Sequence, residues 1–426
     1  MVLRIGNCII KNKYEELFAL DEKNNLLVDK ICAFFLALSP ILQHYKGIFE
    51  DLGITVLLIT CLWYFLKLLS IIHQVKIPAM IVGLLIFQFY KSVIHGVSFM
   101  GLAYAVVMIF IYITATNDLI NLTFFLRTSC SIATLASILI LVQYICYYVL
   151  GFHLQLVPTT LLLPEAEQWI LGAQTGLAGI TGRIGTLYRP SAFFLEPSHM
   201  FLYVFPHIFI MLLSPRKSKM KIRKGILLSL GVILTTSGMG LLTVVFVWVL
   251  YFSLASGKMN KLLLRNLLKP KNFLLVGIFI FAAISAIITI PTIRESFLRI
   301  IDLSAGGAIA GRTRLSTEFI KTLNFSEWII GVTNTLEGIE FNMPGFLATV
   351  YKFGLIGVVL SYTVYVYGIL KGKNAYLWIS VFVVIISFFS AQTHGTFYMM
   401  YYIFIILYGI KTEGIKNGSV RFFLNI

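Results

Sequence analysis

The feature of this sequence that most constrains its fold is the recurrence of apolar runs about as long as a lipid bilayer is thick. A membrane-spanning α-helix needs about 20 mostly apolar residues, because each backbone polar group in lipid must be satisfied within the segment. Of the 426 residues, 58% are hydrophobic and 12% are charged, which is more apolar than a water-exposed protein requires. The sequence therefore predicts an all-α, polytopic integral membrane protein with a single membrane domain over residues 1–426.

The apolar runs predict about twelve membrane spans. They cover residues 27–43, 52–72, 76–91, 97–116, 129–150, 198–213, 225–236, 239–255, 273–291, 344–370, 375–390 and 396–410. The stretch 225–255 is flanked by a basic segment on each side, so the chain between them must cross the membrane and return. We expect two short helices there, turning at "TTSGMG" around Gly238 and Gly240, rather than one very long helix.

Lysine and arginine fix the predicted orientation, because short basic loops stay in the cytoplasm. Placing "SPRKSKMKIRK" and "SGKMNKLLLRNLLKPK" inside puts both tails, 1–26 and 411–426, in the cytoplasm as well. The two long loops, 151–197 and 292–343, then lie outside. Their apolar residues recur at roughly helical spacing, which predicts short amphipathic helices over the outer membrane face. The net charge of +16 follows from this topology, and we expect no nucleic-acid partner.

The stretch "LYRPSAFFLEPSHMFLYVFP" places Arg189, Glu196 and His199 where the first long loop meets an apolar run. An ionisable residue at membrane depth is costly and is by default a functional-site hypothesis. Pro197 suits the first turn of a helix, which makes Glu196 its predicted cap. A structural interpretation stays open, in which Arg189 pairs with Glu196 or with lipid headgroups, and His199 orients that carboxylate or packs beside it.

Two further arginines, Arg312 and Arg314 in "GGAIAGRTRL", precede the amphipathic stretch "LSTEFIKTLNF" of the second long loop. Arginine presents a fixed fork of donors that suits phosphate oxygens, so guanidinium groups from the two loops would hold one diphosphate between them. The alternative is that these arginines pair with Glu318 or with lipid phosphate.

Two other histidines and the cysteines complete the set of candidates. His394, in the external turn "AQTHGTFY", either reaches the site or caps the last hairpin. His207 follows Pro206 within a span, where we expect a structural role at a kink. The five cysteines form no CxxC pair and the outer loops carry no acidic metal-binding motif, so we predict no disulfide, metal or cofactor.

Several segments between about residues 180 and 360 resemble one protein family. "YRPSAFFLEPSHMFLYV" is similar to the arginine, aromatic, Glu-Pro pattern of the Wzy-type O-antigen and capsule repeat-unit polymerases, in the O-antigen polymerase and ligase superfamily. "GRTRLSTEFIKTLNFSEWIIGVTN" resembles the arginine, amphipathic helix and glycine turn of that family's later segment. "NMPGFLATVYKFGLIGVVL", with Gly354 and Gly357, is similar to its small-residue helix, and "TTSGMG" to its polar break between two spans.

The resemblance implies a class C glycosyltransferase-like fold in the bacterial plasma membrane. Such an enzyme transfers a growing glycan from undecaprenyl diphosphate onto a lipid-linked oligosaccharide repeat unit at the outer face, together with a flippase and a chain-length regulator. It implies that Arg189 and one of Arg312 or Arg314 hold the donor diphosphate without a metal. Glu196 is the first candidate for the base that deprotonates the acceptor hydroxyl, with His199 and His394 as alternatives.

Two other functions are compatible with the same topology. A transporter or flippase for lipid-linked oligosaccharide would place its site near the bilayer midplane on broken, often repeated helices, whereas the charges here gather in two outer loops. An O-antigen ligase would carry a His-Asn pair before the last glycine-rich helix. This chain has "FNMPG" instead, with Phe341 before Asn342, which favours a polymerase.

Overall fold

The computed structural model describes residues 27–48, 51–70, 119–164, 189–214, 219–254, 320–332 and 343–414, with isolated residues from 83 to 117 and at 294, 316 and 318. Helix dominates these ranges, and they contain no β-strand, although two isolated β-bridges occur. The all-α prediction is confirmed for the described part of the chain.

The α-helices in these ranges follow the apolar runs. They are α1 (Leu27–Leu42), α2 (Leu52–Ser70), α3 (Leu122–Tyr148), α4 (Pro197–Leu213), α5 (Lys219–Leu234), α6 (Gly238–Leu254), α7 (Phe325–Ile330), α8 (Gly345–Lys371), α9 (Asn374–Ser387) and α10 (Thr396–Gly414). Short 3-10 turns lie at Thr159–Leu161 and Ala391–His394. All but α7 coincide with predicted spans, whereas the predicted spans 76–91, 97–116 and 273–291 lie outside the continuously described ranges.

Two helices begin several residues before the predicted spans. The Asn121 side chain caps α3 by accepting from the Phe124 N–H at 2.8 Å, so the helix starts ahead of the charged Arg127. The helix α5 includes the basic residues before its apolar part, because lysine and arginine are good helix formers. The predicted spans were ended at charged residues, whereas the helices continue through them.

Among the described helices, α3 and α8 are long and apolar enough to cross a membrane by length and composition. The helices α2, α4, α6 and α9 are apolar but shorter. Large apolar side chains on the outer surfaces of α2 and α8 are more than half exposed: Ile59, Leu62, Phe65, Val359 and Leu370. Apolar surface of this extent indicates contact with another apolar medium. The count of twelve spans stays a prediction.

The connections between helices gather at two opposite ends of the bundle. One end, which we call the loop face, comprises the α1–α2 turn (43–48 and 51), the segments 151–164 and 189–196, the α5–α6 turn (235–237) and the 3-10 turn before α10. There the His44 ring stacks on His199, and the Gly345 N–H donates to the Ser390 carbonyl. Gly240, just after the α5–α6 turn, lies against Phe201 in the first turns of α4. The chain thus turns between two helices within "TTSGMG", as predicted, but it does so at residues 235–237, and Gly238 and Gly240 lie in the first turn of α6.

The opposite end, which we call the basic face, carries most of the lysine and arginine of the described helices. These residues occupy the helix ends away from the loop face: Lys30, Lys67, Arg127, Lys219, Lys221, Arg223, Lys224, Lys371, Lys373 and Lys411. The fully buried Asp29 at the start of α1 accepts from Lys67 Nζ at 2.9 Å and from Trp63 Nε1 at 3.0 Å. The carboxylate lies at a helix N-terminus and the ammonium at a helix C-terminus, where the helix dipoles favour each charge.

Helix α4 is the centre of the bundle, and α3, α5, α6, α9 and α10 pack on it. Hydroxyl groups on α10 donate to its backbone carbonyls in register: Tyr398 to His199 at 2.9 Å, Tyr402 to Leu202 at 3.0 Å and Tyr401 to Tyr203 at 3.0 Å. The residue numbers of the donors on α10 and of the acceptors on α4 rise together, so the two helices run parallel. Both helices start at the loop face.

Pro206 explains one of these bonds. Proline has no N–H, so the carbonyl of Leu202, four residues earlier, loses its intrahelical donor. Tyr402 Oη supplies the missing hydrogen bond from the neighbouring helix. His207, next along α4, has its Nε2 2.8 Å from Tyr401 Oη, and this hydroxyl in turn donates to a carbonyl. The expected structural role of His207 therefore agrees with its contacts.

The short helix α7 is docked on a break in α8 through two glycines. Gly354 has φ +61° inside α8 and Gly331 has φ +80° at the end of α7, both in the left-handed region that favours glycine. A side chain on either residue would collide with backbone of the other helix, and the Val332 N–H donates to the Tyr351 carbonyl at 2.8 Å. Two segments quoted for the family resemblance thus meet in the fold.

Candidate functional site

The first turn of α4 carries the acidic candidate, Glu196. Its backbone is extended at the N-cap position and Pro197 follows as the first helical residue, as the sequence predicts. Its side chain makes no capping hydrogen bond to the backbone; instead, Glu196 Oε2 accepts from Ser198 Oγ at 2.7 Å. The carboxylate is half-buried and remains close to the positive end of the α4 dipole. It is therefore held at the loop face with an oxygen directed at a neighbouring side chain.

A glutamine on α3 anchors the loop that delivers these residues. Gln143 is buried, its Nε2 donates to the Leu154 carbonyl at 2.9 Å, and its Oε1 accepts from the Ala192 N–H at 2.8 Å. Ala192 has φ +53°, a strained conformation for a residue with a Cβ. One side chain thus holds both ends of the first long loop. The sequence analysis did not identify Gln143, because a lone polar residue in an apolar run carries no spacing signal.

His199 lies three residues after Glu196 and is buried. Its backbone is fixed twice, since its N–H donates to the Glu196 carbonyl at 3.1 Å and its own carbonyl accepts from Tyr398. Its imidazole stacks on that of His44, with ring centroids 5.0 Å apart and planes 7° from parallel. His199 therefore has a defined position between the first turn of α4 and the α1–α2 turn.

The α1–α2 turn forms a wall of the site that the sequence analysis did not predict. Its backbone pairs with the first long loop: the Lys46 N–H donates to the Leu161 carbonyl at 2.8 Å, and the Leu163 N–H donates to the His44 carbonyl at 3.0 Å. Tyr45 and Leu195 both pack against a small apolar cluster formed by Val157 and Leu162 of the same loop. Both ends of the first loop are thus in contact with the turn that carries His44.

Burial determines the charge of His44. Its Nε2 is inaccessible to solvent and makes no hydrogen bond among the described residues. Burial, together with the neighbouring His199, lowers the pKa of His44 from 6.5 to about 3. His44 is therefore neutral at physiological pH.

The remaining candidates are placed as follows. Arg189 precedes Pro190 at the loop face and is half-buried, with its guanidinium Nε inaccessible to solvent. The backbone of His394 lies in the 3-10 turn, four residues before Tyr398, which contacts His199; its side chain is outside the described part of the chain. Arg312 and Arg314 also lie outside the described residues, while Glu318 is exposed.

In the ranges that the structure describes, no three His, Cys, Asp or Glu side chains are grouped to hold a metal ion. Cys32, Cys61, Cys130 and Cys146 are free thiols. The chemistry that these ranges offer is therefore that of a carboxylate, imidazoles and a guanidinium at the start of one helix.

No protein-family model, no curated protein and no solved structure matches this chain. The resemblance to Wzy-type polymerases is therefore carried only by the sequence segments quoted above. A function for the chain has to be inferred from its residues and their placement at the loop face.

Proposed function

We propose that this protein polymerises lipid-linked oligosaccharides at the outer face of a bacterial plasma membrane. One observation carries the proposal: Glu196 and His199 adjoin in the first turn of α4 at one end of a helical bundle, and Arg189 lies on the segment that leads into it, which Gln143 fixes to the bundle. A cation, a carboxylate and an imidazole held at a membrane surface suit a substrate with a diphosphate and hydroxyl groups. Rigid support of such groups is what catalysis requires.

The orientation of the helices supports an outer position for this site. The basic face lies at the other end of the bundle, and basic helix ends remain in the cytoplasm. The exposed apolar surfaces of α2 and α8 lie between the two faces, where lipid would cover them. The loop face would then lie in the outer leaflet, where it would meet lipid-linked oligosaccharide delivered from inside.

The proposed reaction joins two lipid-linked substrates. Glu196 takes the proton from a hydroxyl of the acceptor sugar as that oxygen forms a bond to the anomeric carbon of the growing glycan. The bond from this carbon to undecaprenyl diphosphate breaks, and the diphosphate leaves with the electron pair. Arg189, with Arg312 or Arg314, stabilises the charge that develops on the leaving diphosphate. The lengthened glycan and free undecaprenyl diphosphate result; the glycosidic oxygen is neutral, and the proton held by Glu196 balances the negative charge that the diphosphate gains.

Helix geometry favours this proposal over transport. A transporter places its substrate near the bilayer midplane on discontinuous helices. The break in α8 at Gly354 lies nine residues from the start of that helix and is filled by the backbone of α7. The Asp29–Lys67 ion pair lies at helix ends on the basic face. Neither feature forms a midplane site.

The test uses the protein purified in lipid nanodiscs. The substrate is the lipid-linked oligosaccharide extracted from source cells that lack the chain's gene, because these cells contain the native repeat unit. Wild type should produce a ladder of products, and Arg189→Ala should slow it by about a hundredfold. Arg189→Lys should also lose most activity, because lysine cannot form the bidentate contact. The matched control, Arg223→Ala on the basic face, should retain the ladder; equal rates in all four proteins would refute a role for Arg189.

A further inference from the structure

We propose that His44 is a positioning residue for His199, and that the α1–α2 turn is therefore part of the catalytic site. This inference rests on the proposed function, since it assigns a role within that reaction. It adds to the site a residue 145 positions away from Arg189 along the chain. His44 would not touch the substrate; it would act through the ring that it stacks on.

The geometry of the two rings carries the inference. Parallel planes with centroids 5.0 Å apart are an offset stack, which restrains both the tilt and the position of the His199 imidazole. His199 is already fixed at its backbone by Glu196 and Tyr398. The stack supplies the remaining restraint, on the side chain itself. With its backbone held by hydrogen bonds and its ring held by stacking, the His199 imidazole keeps one position relative to the Glu196 carboxylate.

His44 is itself held by backbone rather than by its side chain. Its carbonyl accepts from the Leu163 N–H at 3.0 Å, and the adjacent Tyr45 is bridged to Leu162. The turn also begins with the Gln43 N–H donating to Ser39 of α1 at 3.2 Å. The stacking ring is thus presented by a turn tied both to α1 and to the first long loop. Correct folding of that loop and correct placement of His199 are consequently linked.

A neutral His44 avoids charge repulsion within the stacked His44–His199 pair. Two stacked imidazolium ions would repel each other strongly in a buried site, so the pair carries at most one positive charge. His44 is half-buried with an inaccessible Nε2 and is neutral at physiological pH, so it places no charge beside the His199 ring. Several ionisable groups lie on the elements around the pair. Arg189 precedes α4 and Glu196 stands at its start, Tyr398 lies on α10, and Tyr45, Lys46 and Asp51 lie on the α1–α2 turn. His199 is the member of the pair that adjoins Glu196.

The experiment compares His44→Ala with His44→Phe in nanodiscs, at equal amounts of folded protein. Phenylalanine keeps a flat, neutral ring for stacking, whereas alanine removes it. We expect His44→Ala to lower kcat by about tenfold to a hundredfold with little change in KM, and His44→Phe to stay near wild type. A second readout needs no activity: the rate at which diethyl pyrocarbonate modifies His199, followed by mass spectrometry. This rate should rise in the alanine variant and stay low in the phenylalanine variant.

Each outcome supports or overturns the positioning of His199 by the His44 ring. Full activity in His44→Ala, or equal losses in both variants, would overturn positioning by the stacked ring. Modification of His199 at the wild-type rate in His44→Ala would do the same. If wild type forms no polymer, the proposed function fails, and the His199 modification rates still show whether His44 positions that ring.

Discussion

At the scale of single residues, Glu196 at the N-terminus of α4 determines whether the proposed reaction has a general base. The residue occupies the cap position but makes no side-chain capping bond, and one carboxylate oxygen accepts from Ser198 instead. A carboxylate that served only as a helix cap would bond the free N–H groups of the first turn. The Glu196 side chain therefore does not cap α4.

Replacing Glu196 with glutamine separates these two roles. Glutamine keeps the size and a hydrogen-bond acceptor for Ser198 but cannot take up a proton, so turnover should fall by about a hundredfold or more. Thermal stability should change little. Ser198→Ala is the matched control, because it removes the bond to the carboxylate without removing the base, and should cost much less activity. Polymerisation by Glu196→Gln at the wild-type rate would assign the base elsewhere.

His44 gives the molecule a pH-dependent stability. The imidazole takes up its proton near pH 6.5 in the unfolded chain and only near pH 3 in the fold. The unfolded chain therefore binds more protons between these values, and stability falls as the pH drops below 6.5. At pH 4.5 the loss from this residue is about 3 kcal/mol.

The measurement is equilibrium unfolding in mixed micelles at pH 7.5 and 4.5. His44→Phe cannot titrate at this position and should lose less stability on acidification than wild type, by about 3 kcal/mol. The same loss in both proteins would show that His44 is protonated in the fold.

At the scale of helices, the contact between α4 and α10 is specified by a proline. Pro206 removes an intrahelical donor and Tyr402 replaces it from the adjacent helix. The cost of losing Tyr402 Oη therefore depends on whether position 206 has an N–H. In the wild-type background, Tyr402→Phe leaves a buried carbonyl unsatisfied and should cost about 1–3 kcal/mol.

A double-mutant cycle tests this dependence. In Pro206→Ala the Leu202 carbonyl regains its own donor, so adding Tyr402→Phe should cost clearly less than it does in wild type. The free energy of unfolding of the four proteins gives the coupling. Additive effects would contradict the pairing of Tyr402 with the carbonyl that Pro206 leaves free.

The docking of α7 on α8 provides a second test at this scale. Gly354→Ala combines an unfavourable positive φ with a collision against the Ile329 backbone, so α7 should detach from α8. Limited proteolysis should then cut near Val332 faster than in wild type. Gly83→Ala is the control, because its added methyl group meets only Leu360 at an ordinary distance of 3.8 Å. An unchanged cleavage rate in Gly354→Ala would contradict this contact.

At the scale of the whole molecule, the sequence predicts elements well and contacts poorly. Hydropathy placed α8 within one residue of its observed ends, because length and composition are local properties. The His44–His199 stack joins residues 155 positions apart, and no periodicity signals it. Gln143 was missed for the same reason. The second loop's arginines, Arg312 and Arg314, remain a prediction because they lie outside the described residues.

The two faces of the bundle give the whole molecule a direction. Arg189, Glu196 and the His44–His199 stack lie at the loop face, and the basic helix ends lie at the other. Polymerisation should therefore occur only in the leaflet that adjoins the loop face. Transport, in contrast, would connect both leaflets.

The most direct measurement of the central claim uses proteoliposomes with the protein in one known orientation and lipid-linked oligosaccharide in one leaflet. We predict longer glycans together with one undecaprenyl diphosphate released for each bond formed, and only when the substrate shares a leaflet with the loop face. Passage of intact lipid-linked oligosaccharide to the other leaflet, with no undecaprenyl diphosphate released and no longer glycan, would contradict the account and identify a transporter.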